Sequence, residues 1–301
     1  MSDLATTMTV LEPYPGLYAY YDGRIPGKRL HSKDKNWLDD GAYSLGIATY
    51  ALVDGAEAIL YDSHATLDHA RAIRTHLEGL GVMTMRLVLS HWHTDHIAGN
   101  AIFADCEIIA NRLTARTMLE NIKALARKTP PINPVVMPNR LFENEMTLTL
   151  GSRTIRLMQF DIHSEDGTVL FLPEEGLLLA GDTLEDTVTY VSEPEHIATH
   201  IAELTRLKTL PIRHILPDHG AREKIAAGGY APSLIDANRS YLERLLASAK
   251  DPALDAVSLR DFVADDIAHG RIVYFDPYEE VHCSNIAAVR KAMAADQPEA
   301  D

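Results

Sequence analysis

Residues 90–100 read Ser90-His91-Trp92-His93-Thr94-Asp95-His96-Ile97-Ala98-Gly99-Asn100. Three imidazoles and one carboxylate, His91, His93, Asp95 and His96, fall within six positions, directly after the apolar run Met85-Arg86-Leu87-Val88-Leu89. A strand therefore ends where ligand-type residues begin. In an extended segment alternate side chains share a face, so His91 and His93 can hold one ion, while a turn at Thr94 throws Asp95 and His96 towards a second. Borderline ions such as zinc take imidazole nitrogen and carboxylate oxygen, and positions left open by the protein can activate water. The competing reading is a polar loop that happens to be rich in histidine. Four ligand-type residues at a strand end fit a mechanism, which a composition alone does not supply.

Upstream, Met8 to Leu11 and Gly16 to Tyr21 read as strands, and the charged stretch from Asp22 to Gly41 reads as a loop or insertion. Strand character returns from Tyr43 to Val53, and Ala58-Ile59-Leu60-Tyr61 leads into Asp62-Ser63-His64. Leu67, Ala70, Ile73, Leu77 and Leu80 recur at steps of three and four, which predicts an amphipathic helix ended by Gly79 and Gly81. His69 and His76 flank that stripe and read as part of a solvated or half-buried helix face. Downstream, Ile97 onward reads as helical, Cys106 to Ala110 as a strand and Leu113 to Lys128 as a helix. Pro130, Pro131, Pro134 and Pro138 mark an irregular connection. Four strands follow in meander fashion, Met146 to Leu150, Thr154 to Phe160, Thr168 to Leu172 and Leu177 to Ala180. A helix opened by Pro194 leads to the strand His214-Ile215-Leu216 and to Pro217-Asp218-His219-Gly220. Strands and helices alternate twice with hairpins between them, which predicts two sheets covered by helices on their outer faces. From about residue 221 the chain reads as a helical extension, with candidates at Leu234 to Ala249, Leu259 to Ala268 and Asn285 to Ala295. No boundary divides residues 1–301, so one domain is expected.

The chain of 301 residues, 46% hydrophobic, can bury a sizeable core. Its 28 basic and 43 acidic residues give a formal charge of −15 with no basic block, which argues against nucleic acid as a partner. The first eight residues lack a positive and an apolar signal region, and no run approaches a membrane span. A soluble, cytoplasmic protein acting on a small molecule is the expectation, with a homodimer left open. Cys106 and Cys283 belong to no C-x-x-C pair and read as packing residues.

Three more ligand-type residues each follow an apolar strand: His163 after Ile155 to Phe160, Asp182 after Leu177 to Gly181, and His219 after His214 to Leu216. Strand ends are where α/β folds expose their chemistry. With these in view, residues 8 to 220 resemble the metallo-β-lactamase superfamily, on the H-x-H-x-D-H signature, the downstream Gly181-Asp182-Thr183 and the terminal His219-Gly220. The resemblance implies an αββα sandwich of two mixed sheets with metals at one edge. It implies a first zinc on His91, His93 and His163, a second on Asp95, His96 and His219, and Asp182 bridging both, with iron or manganese as alternatives. Asp95 and Asp182 thus count as catalytic candidates as well as ligands. A hydroxide held between two such ions is a strong nucleophile at neutral pH, so no serine or cysteine nucleophile is required.

Departures from the family's patterns narrow the activity. Where the family often has Gly-His-Thr-x-Gly, this chain has Ile162-His163-Ser164-Glu165-Asp166-Gly167. Asp182 stands where the true β-lactamases carry cysteine or serine, which demotes antibiotic hydrolysis. Thr183 to Val188 lacks the Gly- and Arg-containing segment of glyoxalase II and the persulfide dioxygenases, and His93 replaces the glutamate of the diiron flavoproteins. The acidic charge disfavours the RNA-processing members. The acyl-homoserine lactonases and their ester- and organophosphate-cleaving relatives remain closest in pattern. Gly27-Lys28-Arg29-Leu30-His31 is loosely similar to their N-terminal loop, and Tyr190 stands somewhat beyond the place of their substrate-holding tyrosine. The leading expectation is a dinuclear zinc hydrolase of ester or lactone bonds. Its alternatives are a thioester, phosphoester or β-lactam hydrolase, an iron-dependent oxidoreductase on the same ligands, and a binding protein with a degenerate site.

Four other residues invite a role. His196 and His200 have the i,i+4 spacing of a metal clamp, but the glutamate of an H-E-x-x-H site is missing, so they read as flanking a core stripe. Asp62 occupies the place of an aspartate that supports the metal loop in the superfamily. His64 either faces the cleft or caps the helix that begins near Thr66. The walls of the substrate pocket are expected from the 22–41 loop and the C-terminal helices.

Overall fold

A computed structural model describes residues 5–29, 31–249, 251 and 257–295. The ends of the chain, including the first four residues of the expected signal-free terminus, and Leu30 of the lactonase-like stretch lie outside the described residues. The first sheet runs β1 (Thr9–Tyr14), β2 (Leu17–Asp22), β3 (Ile47–Asp54), β4 (Glu57–Tyr61), β5 (Thr84–Val88), β6 (Glu107–Asn111) and β7 (Arg140–Phe142), in that spatial order. β1 to β4 pair antiparallel, and β4 to β7 pair parallel. The second sheet contains β8 (Glu145–Leu150), β9 (Arg153–Gln159), β10 (Thr168–Leu172), β11 (Leu177–Gly181) and β12 (His214–Pro217), in the order β12-β11-β10-β9-β8. Only β11 and β12 are parallel there. Two mixed sheets flanked by helices is the α/β sandwich expected from the sequence.

The period-two alternation of the strands sorts their side chains into layers. Ile59 and Tyr61 of β4 and Leu177 and Leu179 of β11 point between the sheets, where Tyr50, Val88, Leu157 and Leu170 join them. Their neighbours Ala58 and Leu60 face outward against Ala70, Ile73 and Leu77 of the helix Leu67–Gly79 and Met118 of the helix Arg112–Leu125. Leu178 and Ala180 face the opposite way, against Leu204 and Leu207 of the helix Ile197–Leu207 and Leu234 and Leu242 of the helix Ser233–Ser248. Because β4 and β11 bury both faces, they carry nearly continuous apolar runs. Each fully buried Leu, Ile or Val contributes about 1.5–3 kcal/mol through burial.

Two buried tyrosines join the sheets at the edge that matters. The Tyr61 hydroxyl donates to the carbonyl of Thr168 (2.5 Å), and that of Tyr50 to the carbonyl of Pro217 (2.6 Å). Burial raises both phenols well above their ordinary range, so they stay neutral donors. The backbone continues the junction, with Thr168 N–H donating to the Ser90 carbonyl (2.7 Å) and Ala48 N–H to that of Asp218 (2.8 Å). β4, β5, β9, β11 and β12 all end at this edge, since β9 and β11 each run antiparallel to β10 and so parallel to one another.

Several local expectations change. Tyr43 does not begin a strand: Leu38–Tyr43 forms a wide helical turn, and β3 starts only at Ile47. β7 has three residues, too few for a periodic signal. The helix expected from Ile97 onward is instead a single turn inside the metal stretch, Thr94–Ile97, followed by a tighter turn at Asn100–Phe103. The Leu259 to Ala268 segment breaks at Val263 into two short helices, and the last helix starts early, at Tyr278. Cys106 is half-buried, but Cys283 is exposed and so does not pack. Among the described residues no helix is long and apolar enough to cross a membrane.

Candidate metal centre

Each strand at the shared edge delivers one part of the site. His91 and His93 lie in the segment after β5, and the helical turn Thr94–Ile97 then carries Asp95 and His96. His163 follows β9, Asp182 follows β11 directly, and His219 follows β12. Gly181 makes the turn into Asp182 possible. Its φ is +55°, and a Cβ there would sit 2.9 Å from both the Tyr61 hydroxyl and Ser90 Cβ, so a side chain would be strained and crowded. Asp62 and His163 adopt φ of 69° and 66° without that freedom. Such backbones cost about 1–3 kcal/mol and are held by their surroundings.

The structure brings all seven predicted ligands together in two groups. His91, His93, His163 and Asp182 form one, Asp95, His96 and His219 the other, with the ligand atoms of each group within 4.8 Å of one another. Asp182 Oδ2 joins them: it lies 3.1 Å from His96 Nε2, 3.5 Å from His219 Nε2 and 3.6 Å from Nε2 of both His91 and His163. Its other oxygen is buried without a hydrogen-bond partner. Asp95 Oδ2 lies 3.3 Å from His219 Nε2. Ligands about 2.0–2.2 Å from a tetrahedral ion are themselves roughly 3.3–3.6 Å apart, so these spacings suit coordination.

The far sides of the rings fix which nitrogen looks inward. Nδ1 of His163 meets the Tyr190 carbonyl (2.9 Å), Nδ1 of His219 the Gly46 carbonyl (2.7 Å), Nδ1 of His91 the Ser90 hydroxyl (2.9 Å) and Nδ1 of His96 the Asp62 carboxylate (2.8 Å). An imidazole that donates outward from Nδ1 presents a lone pair on Nε2, as a ligand must. The donor set therefore fits a pair of divalent cations.

Electrostatics divides the groups. Burial, reinforced by neighbouring imidazoles, holds His91 well below its ordinary range, and it takes His93 down to about 3. Burial also lowers His163 to about 4 against the pull of Asp182. For His96 and His219 burial acts in the same direction, but the Asp182 and Asp95 carboxylates outweigh it and raise both rings well above the usual value. Burial opposes ionisation of Asp95 and Asp182 too, yet His96 and His219 hold them low, Asp95 at about 2. Burial thus dominates in the first group, and attraction between carboxylate and imidazole in the second.

The supporting residues were only partly legible. Asp62 stands as anticipated: its carboxylate accepts Ser90 N–H (2.7 Å) and the Ser90 hydroxyl (2.5 Å) and faces His96. Asp218 was missed, though it adjoins His219 in sequence. It is fully buried, 3.3 Å from His96 Nδ1, and burial together with the Asp62 charge pushes its carboxyl well up. Glu185 gave no signal; it lies 3.5 Å from His163 Nδ1, and burial and the Asp182 charge raise it to about 8. His64 neither faces the cleft nor caps a helix. It is buried, stacked on His69 at 4.1 Å, while Thr66 accepts His69 N–H as the cap. His69 is also fully buried, not half-solvated, beside the Tyr43 hydroxyl (2.7 Å) and the Asp22 carboxylate (3.1 Å).

The centre forms the floor of a cleft of about 1090 Å³. Arg24, Lys28, Trp37 and Asp39 from the 22–41 segment, Trp92, and Phe275 and Val281 from the C-terminal region form walls. Tyr190, 43% exposed, lines the same cleft.

Comparison with known proteins places this geometry. The family model described as the metallo-beta-lactamase superfamily matches residues 44–257. The chain is 26% identical over 183 residues to a protein named Beta-lactamase-like protein 2 homolog from Caenorhabditis elegans, covering 60% of this chain and 58% of that one. It is 27% identical over 182 residues to a protein named Atrochrysone carboxyl ACP thioesterase from Cryptosporiopsis sp., covering 60% and 51%. The matched stretches thus span little more than half the length of these relatives. A metallo-beta-lactamase from Pontibacter korlensis superposes with a TM-score of 0.61 at 16% identity, over 78% of this chain and 99% of that one, which is a likeness of fold. Since the family model matches well over half of the chain and includes every strand end that carries a ligand-type residue, the chain belongs to the metallo-beta-lactamase superfamily.

Proposed function

We propose that this chain is a hydrolase of small-molecule ester or lactone bonds that works with two zinc ions. The observation that carries the reading is Asp182 Oδ2, within 3.1–3.6 Å of four inward-facing imidazole nitrogens at the floor of an open cleft. His91, His93 and His163 would hold one ion, Asp95, His96 and His219 the other, and Asp182 both. Bound there, such ions supply Lewis acidity for a carbonyl oxygen and lower the pKa of water towards neutrality. Imidazole-rich donors favour zinc, with iron or manganese as the other first-row candidates.

The chain's own groups complete the reading. Asp62, Asp218 and the carbonyls of Gly46 and Tyr190 hold the rings in place, so little reorganisation accompanies reaction. The Tyr190 hydroxyl, at the cleft wall, can donate to a substrate carbonyl. A lactone suits this floor, because its leaving oxygen stays tethered to the acyl group and needs no separate pocket. The name of the Cryptosporiopsis relative supports a second reading, a thioester substrate, attacked at the same carbonyl carbon.

The test is a panel of lactones, aryl esters, thioesters, phosphotriesters and β-lactams offered to zinc-loaded protein, followed by proton release and mass change. Opening of lactones or esters is expected. Preference for thioesters would move the assignment to the second reading, and cleavage of phosphoesters or β-lactams with carbonyl esters left intact would reject both.

A further inference from the structure

A second group of ligand-type side chains lies outside the cleft, among residues to which the reaction assigns no part. Asp161 stands two residues before His163. Glu193 and His196 belong to the turn that opens the helix Ile197–Leu207, and His200 lies one helical turn beyond His196 on the same face. Ligand atoms of these four lie within 4.8 Å of one another. His196 Nδ1 is 3.2 Å from Asp161 Oδ2 and 3.6 Å from Glu193 Oε2, and His200 Nε2 is 3.3 Å from Asp161 Oδ1.

Ion pairing accounts for His196, which is 38% exposed and faces two carboxylates. His200 faces a single carboxylate: its ring is 1% exposed and its Nε2 lies 3.3 Å from Asp161 Oδ1, yet that buried nitrogen makes no hydrogen bond. A buried, unpaired polar atom calls for a further partner. A cation between Nε2 and Oδ1 meets a lone pair on each and requires no N–H to point at the oxygen. With Asp161 Oδ1 as the ligand atom, His196 Nδ1 and His200 Nε2 each lie 3.3 Å from it, and Glu193 Oε2 lies 3.6 Å from His196 Nδ1, separations that match edges of a tetrahedron about an ion with bonds of roughly 2.0–2.2 Å. They match those in the cleft group as well, where Asp95 and His219 are 3.3 Å apart. Exposure of His196 leaves a path for entry.

We propose that Asp161, Glu193, His196 and His200 bind a separate divalent cation of the zinc class, outside the catalytic cleft. Two imidazoles and two carboxylates close a tetrahedral set, so the ion is structural and holds no open position for substrate. It clamps three segments: the end of β9 through Asp161, the stretch after Tyr190 through Glu193, and the helix through both histidines. The second of these already fastens the metal ligand His163 and the residues that follow it. Glu193 accepts Glu165 N–H (2.8 Å) and the Ser164 hydroxyl (3.3 Å), and the Ser192 hydroxyl donates to the His163 carbonyl.

The test is zinc stoichiometry at equilibrium on the full chain, stripped with chelator and titrated with zinc alone at micromolar concentration. The variant H196A/H200A is compared with the parent, and circular dichroism checks its fold. Loss of one equivalent in the variant is expected; equal stoichiometry in the two proteins overturns the site. Crystallising the parent with zinc and collecting at the zinc edge gives a check that needs no variant. Anomalous density bonded to His200 Nε2 supports the proposal, and its absence from zinc-soaked crystals with density elsewhere overturns it. Equivalents lost on His91→Ala report on the cleft instead, so failure of the outer site and failure of the proposed reaction are separable.

Discussion

The Asp62 carboxylate lies 2.8 Å from Nδ1 of His96, on the side of the ring that faces away from the ligand cluster. Asp62 ends its strand in the left-handed region (φ 69°), and the same carboxylate accepts Ser90 N–H. It therefore sets both the ring of His96 and the start of the segment that carries His91 and His93. Asp62→Asn keeps the size and tolerates that backbone. It is expected to weaken zinc binding by about 10- to 100-fold. Competitive titration against a chromophoric chelator measures this, and unchanged affinity would remove Asp62 from the support of the site.

Asp182→Asn and His91→Ala should each cut kcat/KM by more than about 100-fold, exceeding the usual effect of a supporting group because they remove a ligand itself. Metal content should fall in parallel. The fold should persist, since the three apolar layers include neither side chain. A variant that retains parental turnover after complete metal removal would refute the proposed chemistry.

Tyr190→Phe tests substrate holding. Its backbone carbonyl meets His163, but its side chain is 43% exposed, so losing only the hydroxyl leaves the support of His163 in place. A fall in kcat of about 10- to 1000-fold with unchanged zinc content is expected if the hydroxyl steadies developing charge. Parental kinetics would exclude Tyr190 and leave the metal ligands unaffected.

Asp166 supplies a pH signature. Burial, aided by the charge of Glu193, raises its carboxyl to about 6; one oxygen accepts the Ser164 hydroxyl (2.6 Å) and the other has no partner. In the unfolded chain the carboxyl ionises near its ordinary value of about 3.9. The folded state thus holds the proton more tightly, and this contribution is full below pH 4 and lost as pH rises through about 6. Asp166→Asn keeps the acceptor and removes the ionisation. It should exceed the parent in stability by about 2–3 kcal/mol above pH 7, the gap closing towards pH 4. Urea denaturation at both pH values reads the difference, and a pH-independent gap would contradict the assignment.

What the sequence by itself determined is the local chemistry and the local period. The run Met85 to Leu89 followed by H-x-H-x-D-H located a strand end with ligands, because alternation and residue type are properties of neighbouring positions. The apolar runs before His163, Asp182 and His219 marked their strand ends for the same reason, and resemblance to a family assigned the ligands to two ions. The short β7 and the helical turn at Leu38–Tyr43 escaped because pairing with neighbours outweighs the weak periodicity of so few residues. Only the tertiary structure decided that Asp182 Oδ2 sits among four imidazoles from different strand ends. It alone brought Asp161 and Glu193, 32 positions apart, to the pair His196 and His200, which spacing alone had assigned to a core flank. It also buried His69, Asp218 and Glu185; burial raises both carboxyls, that of Asp218 together with the charge of Asp62, which is distant in sequence. Those quantities depend on separation in space, and a linear sequence carries that only after the sheets have closed on one another.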